Sequence, residues 1–180
     1  ERDLKLTRGI LQLLSDLHHP LAILTKSSGI ERDIDLLQSL AQRRLAAVYV
    51  TVTTLDSTLS RILEPRAAAP WRRLKVIRTL ADAGVPVGVS VAPQIPFINE
   101  DMEQVLQAAR EAGAASAFYT VLRLPWELSP IFQEWLSAHY PQRSARVMAR
   151  VRDMRGGADY QADFGTRMGG SGTWADLVRQ

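Results

Sequence analysis

Cysteine is absent from all 180 residues. That excludes a disulfide framework, a thiol nucleophile and any thiolate-bound metal or cluster held by this chain itself. Histidine is scarce: His18, His19 and His139 fall in no metal-ligand spacing, and His18-His19-Pro20 reads as a turn. Charge of one sign is barely in excess, with 22 Lys+Arg against 19 Asp+Glu; such a balance tolerates polyanions without demanding them. No apolar run approaches the roughly 20 residues of a membrane span. The start, Glu1-Arg2-Asp3-Leu4-Lys5-Leu6, is too charged for a signal peptide, so we expect a cytoplasmic protein with no membrane contact. It also lacks an initiator methionine, and we read the chain as a piece of a longer polypeptide. What is present, 46% hydrophobic, 7% aromatic and 23% charged residues, is the make-up of one ordinary domain. A chain of this size buries on the order of 70% of the surface exposed when unfolded, enough for a core without staples.

Four short β-branched runs stand out: Leu21–Lys26, Ala47–Thr53, Val87–Ala92 and Ala117–Arg123. Between them apolar residues recur at steps of three and four: Ile34, Leu37, Leu40, Ala41; Leu74, Ile77, Leu80, Ala81; Met102, Val105, Leu106, Ala109. Gly84 and Gly113 follow the second and third of these helices, where a left-handed residue ends a helix. Strand and helix alternating at this spacing mean an α/β fold with a parallel sheet. Val48, Val50 and Val52 share one strand face while Tyr49, Thr51 and Thr53 share the other; Val87, Val89 and Val91 likewise oppose Gly88, Ser90 and Ala92. An aliphatic face and a small or polar face suit strands packed on helices outside and lining a lumen inside, whereas an open sheet covered on both faces reads as continuous hydrophobics. A complete barrel needs about 250 residues, so we expect a partial (β/α) barrel of four βα units over residues 1–125. A helix at Leu4–Leu17 precedes it, its own strand lying upstream. Residues 126–180 form a tail of short helices at Ile131–Ala138, Arg143–Arg155 and Thr173–Gln180 with a glycine-rich stretch packed on the barrel.

In parallel α/β folds chemistry gathers at the carboxyl ends of the strands. The first strand ends at Lys26, either a cation at the lumen mouth pairing with a ligand carboxylate or phosphate, or a solvated lysine. The second ends with Thr51 and Thr53, hydroxyls pointing into one space, or threonines chosen for strand propensity. Asp56 caps the helix that follows. The stiff loop Leu63-Glu64-Pro65-Arg66-Ala67-Ala68-Ala69-Pro70, followed by Trp71-Arg72-Arg73, carries paired charges for a structural salt bridge of Glu64 with an arginine, or for ligand contact by Glu64, Arg66 and Arg73. After the third strand come Gln94 and Ile95, with Asn99 as a helix N-cap. Arg123 closes the fourth in a partly enclosed setting and needs an acidic partner or a ligand. Arg143, Arg146 and Arg150 form a positive helix face, solvated or docking a polyanion.

Together, Thr25-Lys26-Ser27, the strand Val50–Thr54, LEPRAAAPWRRL at 63–74, VAPQIPFIN at 91–99, Leu122-Arg123-Leu124-Pro125 and the terminal Phe164-Gly165-Thr166-Arg167-Met168 resemble radical S-adenosylmethionine proteins, specifically the spore photoproduct lyase-like (DNA-repair-photolyase-like) group. The resemblance implies a partial (β/α)6 barrel in which a [4Fe–4S] cluster reduces S-adenosylmethionine to a 5′-deoxyadenosyl radical for hydrogen abstraction. It implies that Lys26 contacts the cofactor's ribose or carboxylate, with the hydroxyls of Thr51 and Thr53 beside it. Gln94 and Ile95 would flank the adenine and Arg123 would end the sixth strand; Arg167 joins the loop arginines as a substrate contact. The chain departs from the family pattern in two places: Phe97 stands where glycine is usual, and the cysteine triplet C-x3-C-x2-C is missing, so the cluster cannot be ligated here. We expect the triplet to lie upstream, leaving the fragment alone inactive. A barrel cut this way leaves the strand at Leu21 as an exposed edge, which invites homodimerisation. The alternative is a DNA- or RNA-binding module without radical chemistry, using the 143–155 arginines and Arg167.

Overall fold

β-Branched residues concentrate where a pleated surface accommodates them. In the computed structural model, which describes residues 3–180, they form β1 (Leu21–Thr25), β2 (Ala46–Thr51), β3 (Val87–Gln94) and β4 (Ser116–Val121). The sheet is parallel, its order β1-β2-β3-β4, and the register sets Leu21 beside Ala46, Val48 beside Val87 and Thr51 beside Ser90. The α/β class and the parallel sheet are as expected. The sheet is open, with β1 and β4 at its margins.

The chain divides into two compact units, residues up to Val91 with Asp101–Phe118, and Ala92–Glu100 with Tyr119–Gln180. In the first unit, α1 (Leu6–Asp16) precedes β1, and a 3₁₀ turn at Ser28–Asp33 leads into α2 (Ile34–Gln42). Next come α3 (Ser57–Leu63), α4 (Pro70–Asp82) and α5 (Met102–Glu111). Sequential strands joined by crossovers of one hand put their helices on one sheet face. Val48, Val50, Val52, Val87 and Val89 are buried there with Leu37 and Leu40 of α2, Val76, Ile77 and Leu80 of α4, and Val105 of α5. The opposite face carries Tyr49, Thr51, Gly88 and Ser90, and it remains open enough that Leu24 is 61% exposed and Phe118 39%. Tyr49 meets Phe118 edge-on at 5.1 Å between ring centroids. A Cβ on Gly88 would lie 2.6 Å from the Tyr49 ring and from Ser116 Oγ, so the ring lies flat over a residue with no side chain.

Helix ends follow local chemistry. Asp56 caps α3, its carboxylate accepting from Thr58 N at 2.7 Å and Leu59 N at 3.2 Å. Pro70 opens α4, and Gly84 and Gly113 lie past α4 and α5 with φ of 74° and 102°. Asn99 is not a helix cap: its side chain folds back on its own loop, accepting from Ile95 N at 2.7 Å and donating to Pro93 O at 3.0 Å. The helix begins later, at Met102, after Asp101.

In the second unit α6 (Leu128–His139) and α7 (Pro141–Asp153) pack through Phe132, Leu136, Val147, Met148 and Val151, all buried, and α8 (Thr173–Arg179) ends the chain. The glycine-rich stretch forms turns. Met168 O accepts from Val121 N at 2.9 Å, and Gly170, at φ 71°, leaves a would-be Cβ only 3.4 Å from Val121, Met154 and Ala175. Among the described residues no helix is long and apolar enough to cross a membrane.

Candidate functional site

Pro65 forbids a helical continuation at Glu64, so α3 stops and the carboxylate turns inward. Three donors converge on it: Lys26 Nζ, Thr53 Oγ1 at 2.9 Å and Arg73 Nη2 at 2.5 Å. Arg73 also donates to Thr51 O at 3.0 Å and Ala68 O at 2.6 Å, which ties the end of β2 to the loop between α3 and α4. Of the expected residues, Lys26, Thr53 and Arg73 thus meet around the Glu64 carboxylate at the ends of β1 and β2, while Thr51 joins only through its backbone carbonyl, which accepts from Arg73. Their exposures differ sharply, with the side chain of Arg73 at 1%, Glu64 at 8% and Lys26 at 41%. Burial pushes the Glu64 carboxyl upward, but the bonds from Lys26 and Arg73 outweigh it and hold the group below the ordinary carboxylate range. A cavity of about 500 Å³ adjoins the cluster, lined by Lys26, Ser27, Ser28, Arg66, Ala67 and Ala68. Lys26 has three N–H donors, of which Glu64 takes one; with Arg66 it makes this cavity electropositive.

Thr53 is a support for Glu64 and sits in the interior, as does Thr51. Two residues of the first unit escaped the sequence reading. Ser90, beside Thr51 in register, buries a hydroxyl with no hydrogen-bond partner among the described residues. Asp101 accepts from Thr54 Oγ1 at 2.8 Å and Leu55 N at 2.7 Å while its second oxygen stays unpartnered. Alternation of β3 already placed Ser90 on the polar face, whereas nothing local marks Asp101 as anything but a helix cap.

In the second unit Gln94 and Ile95 are buried, and Gln94 O accepts from Leu122 N at 2.9 Å. Arg123 donates to Tyr160 Oη at 3.1 Å and to Met168 Sδ at 3.6 Å. Neither of these two contacts is acidic, which leaves a ligand as the other expected partner of Arg123. Arg167 stacks over the Phe164 ring at 4.2 Å. Phe97, at φ 64°, lies under Arg146 at 3.9 Å from the ring centroid, and its carbonyl accepts from Arg143 at 2.9 Å. Arg155, read from sequence as the end of a basic face, is instead 1% exposed; it follows Met148 and Val151 at steps of seven and four, on the apolar side. Among the described residues there is no group of three His, Asp or Glu that could hold a metal ion.

No protein-family model matches the sequence. The chain is similar to an uncharacterized protein of Mycobacterium tuberculosis, 31% identical over 149 residues, which cover 81% of this chain and 43% of that protein. It is similar to an uncharacterized protein of Methanocaldococcus jannaschii, 30% identical over 142 residues, covering 79% of this chain and 52% of the relative. An uncharacterized protein of Acidianus two-tailed virus is 32% identical over 106 residues, 56% of this chain and 35% of its own length. The chain therefore spans about half, or less, of the length of these relatives.

Proposed function

We propose that the chain is part of a radical S-adenosylmethionine enzyme, a segment of its partial (β/α)6 barrel that binds the cofactor without ligating the iron–sulfur cluster. The observation that carries this reading is the Lys26–Glu64–Arg73–Thr53 cluster at the carboxyl ends of β1 and β2, beside an electropositive cavity. An open parallel sheet with helices on one face and an opposite face left partly exposed at Leu24 and Phe118 supports it, as one side of a cradle would look.

The [4Fe–4S] cluster does not fit this chain: it has no thiolate to offer, and three cysteines must come from polypeptide outside these 180 residues. S-Adenosylmethionine does fit. Lys26, held in place by Glu64 at the edge of the cavity, suits the cofactor's carboxylate. When bound beside a reduced cluster, the cofactor supplies a 5′-deoxyadenosyl radical that takes hydrogen from a substrate. This chain's own part is to bind and orient: Arg73 fixes the loop, Glu64 fixes Lys26, and Lys26 anchors the anionic end.

Calorimetric titration with S-adenosylmethionine tests the reading. Saturable binding is expected, weakened at least about tenfold by Lys26→Gln, the size of a lost charge-assisted hydrogen bond. Absence of binding, or binding indifferent to Lys26, overturns it. In a longer protein carrying the cysteine triplet, reduction should release 5′-deoxyadenosine.

A second reading, a nucleic-acid-binding module, is favoured by one observation: a groove of about 300 Å³ lined by Phe97, Arg146, Ala149, Arg150 and Asp153, with Arg146 stacked on a phenylalanine held at positive φ. It predicts salt-sensitive binding of single-stranded DNA or RNA, whose salt slope falls by roughly one on Arg146→Ala. A homodimer formed through the outer edge of β1 is also proposed, and sedimentation velocity at rising concentration checks it.

A further inference from the structure

Three arginines of the second unit, Arg123, Arg155 and Arg167, each bury an Nε–H that has no hydrogen-bond partner among the described residues. The groups these guanidiniums do touch are carbonyls, a hydroxyl, a thioether and aromatic rings, none of them an anion. Arg155 is the most enclosed. Its Nη1 donates to Thr166 O at 3.1 Å and Arg167 O at 2.9 Å, and its Nη2 to Leu122 O at 2.9 Å, a cage of backbone that fixes the charge in place. Burial first, and then the nearby charge of Arg123, push Arg155 below its ordinary pKa, while Tyr160 acts in the opposite sense. Tyr160 accepts from Arg123 and lies against its guanidinium, 5.8 Å from ring centroid to Cζ, leaving its own O–H free to donate.

Two neighbouring like charges, one caged and one half-buried, are unfavourable unless an anion sits between or beside them. Among the described residues no carboxylate bonds to these groups. A monoanion would leave one charge uncompensated, whereas a dianion balances both. Tetrahedral oxygens also accept from separately placed donors, here the Arg123 guanidinium and the Tyr160 hydroxyl. We infer that Arg123 and Tyr160, backed by the caged Arg155, form a binding site for a dianionic phosphate group, either inorganic phosphate or a phosphate monoester. Arg167, whose carbonyl closes the Arg155 cage, ties the glycine-rich turn to this site. The site lies within the second unit and does not rest on the radical reading, whose anchor is Lys26.

The test follows the arginine Nε–Hε signals of the 180-residue chain by ¹⁵N NMR at pH 7.5 and constant ionic strength. Four probes are titrated in: inorganic phosphate, glycerol phosphate, dimethyl phosphate and acetate. Saturable shifts of the Arg123 and Arg155 signals are expected with the first two, and at least tenfold weaker binding with the last two. Tighter binding of glycerol phosphate identifies a monoester ligand, and equal or weaker binding identifies free phosphate. Arg123→Gln should weaken phosphate at least tenfold and Tyr160→Phe, which removes only a hydroxyl, about fivefold, while Lys26→Gln leaves it unchanged. No saturable shift, equal binding of acetate, or phosphate affinity unmoved by Tyr160→Phe overturns the inference.

Discussion

Replacing Glu64 with alanine leaves the Arg73 guanidinium, 1% exposed, with two carbonyls and no counter-charge. Removing one partner of a buried ion pair costs about 3–5 kcal/mol. Lys26 belongs to the same carboxylate but is 41% exposed, so water replaces what Glu64 gave it, and an exposed pair contributes about 0–1 kcal/mol. In a domain of this size each kcal/mol moves the melting temperature by roughly 2–4 °C. Glu64→Ala should therefore lower it by roughly 6–20 °C, and Lys26→Met by no more than about 4 °C. A double-mutant cycle separates the terms: Glu64 with Arg73 should show a coupling of about 2 kcal/mol or more, and Glu64 with Lys26 about 1 kcal/mol or less. Urea titration followed by circular dichroism, with calorimetry alongside, supplies both. The pH dependence has a definite sign. The folded pKa of Glu64 is depressed, so its stabilisation is complete above its unfolded value of 4.5 and is lost as pH falls through the folded one. Glu64→Ala should remove that part of the acid limb. Equal costs for Lys26→Met and Glu64→Ala, or an acid limb that Glu64→Ala leaves intact, would refute the reasoning.

Three further outcomes are expected. Gly88→Ala drives a methyl to 2.6 Å from the Tyr49 ring and should destabilise by about 1–3 kcal/mol, with Tyr49→Ala in the same chain recovering part of the loss in denaturant melts. Asp56→Ala removes two backbone caps from α3 and should cost about 1 kcal/mol, read as a lower urea midpoint at unchanged slope. Asp35 titrates at about 2 because Arg8 grips it with bonds of 2.6 and 2.9 Å; in Arg8→Ala its carboxyl ¹³C midpoint should return toward 3.8, and a midpoint that stays near 2 would mean that Arg8 is not the cause.

Much of the fold is legible in local pattern because it is locally determined. The runs at Leu21, Ala47, Val87 and Ala117 alternate with period two and become strands within one or two residues of their expected starts, and Gly84 and Gly113 end helices because a left-handed backbone has few other residues to use. Closure was not legible in the same way. Valine on one face and threonine, glycine and serine on the other specify which side meets the helices, and the same alternation serves an open sheet as well as a curved one. At the candidate site, Lys26, Glu64 and Arg73 were identifiable singly, but their convergence depends on how the loop after Pro65 folds back, which no spacing encodes. Arg155 shows the opposite failure: a charge on the buried period was read by its chemistry and not by its phase. Asn99 was read as a cap from its residue type, although a neighbouring loop competed for the same amide and won.

The sequential strand order bears on how the first unit assembles. Each of β1, β2 and β3 lies beside the strand next to it in the chain, and register partners are separated by roughly 25–40 residues, so no pairing waits on a distant segment. Such a sheet can be stitched outward from whichever pair forms first, and hydrogen exchange during refolding should show amides of β2, flanked on both sides, gaining protection before those of marginal β1.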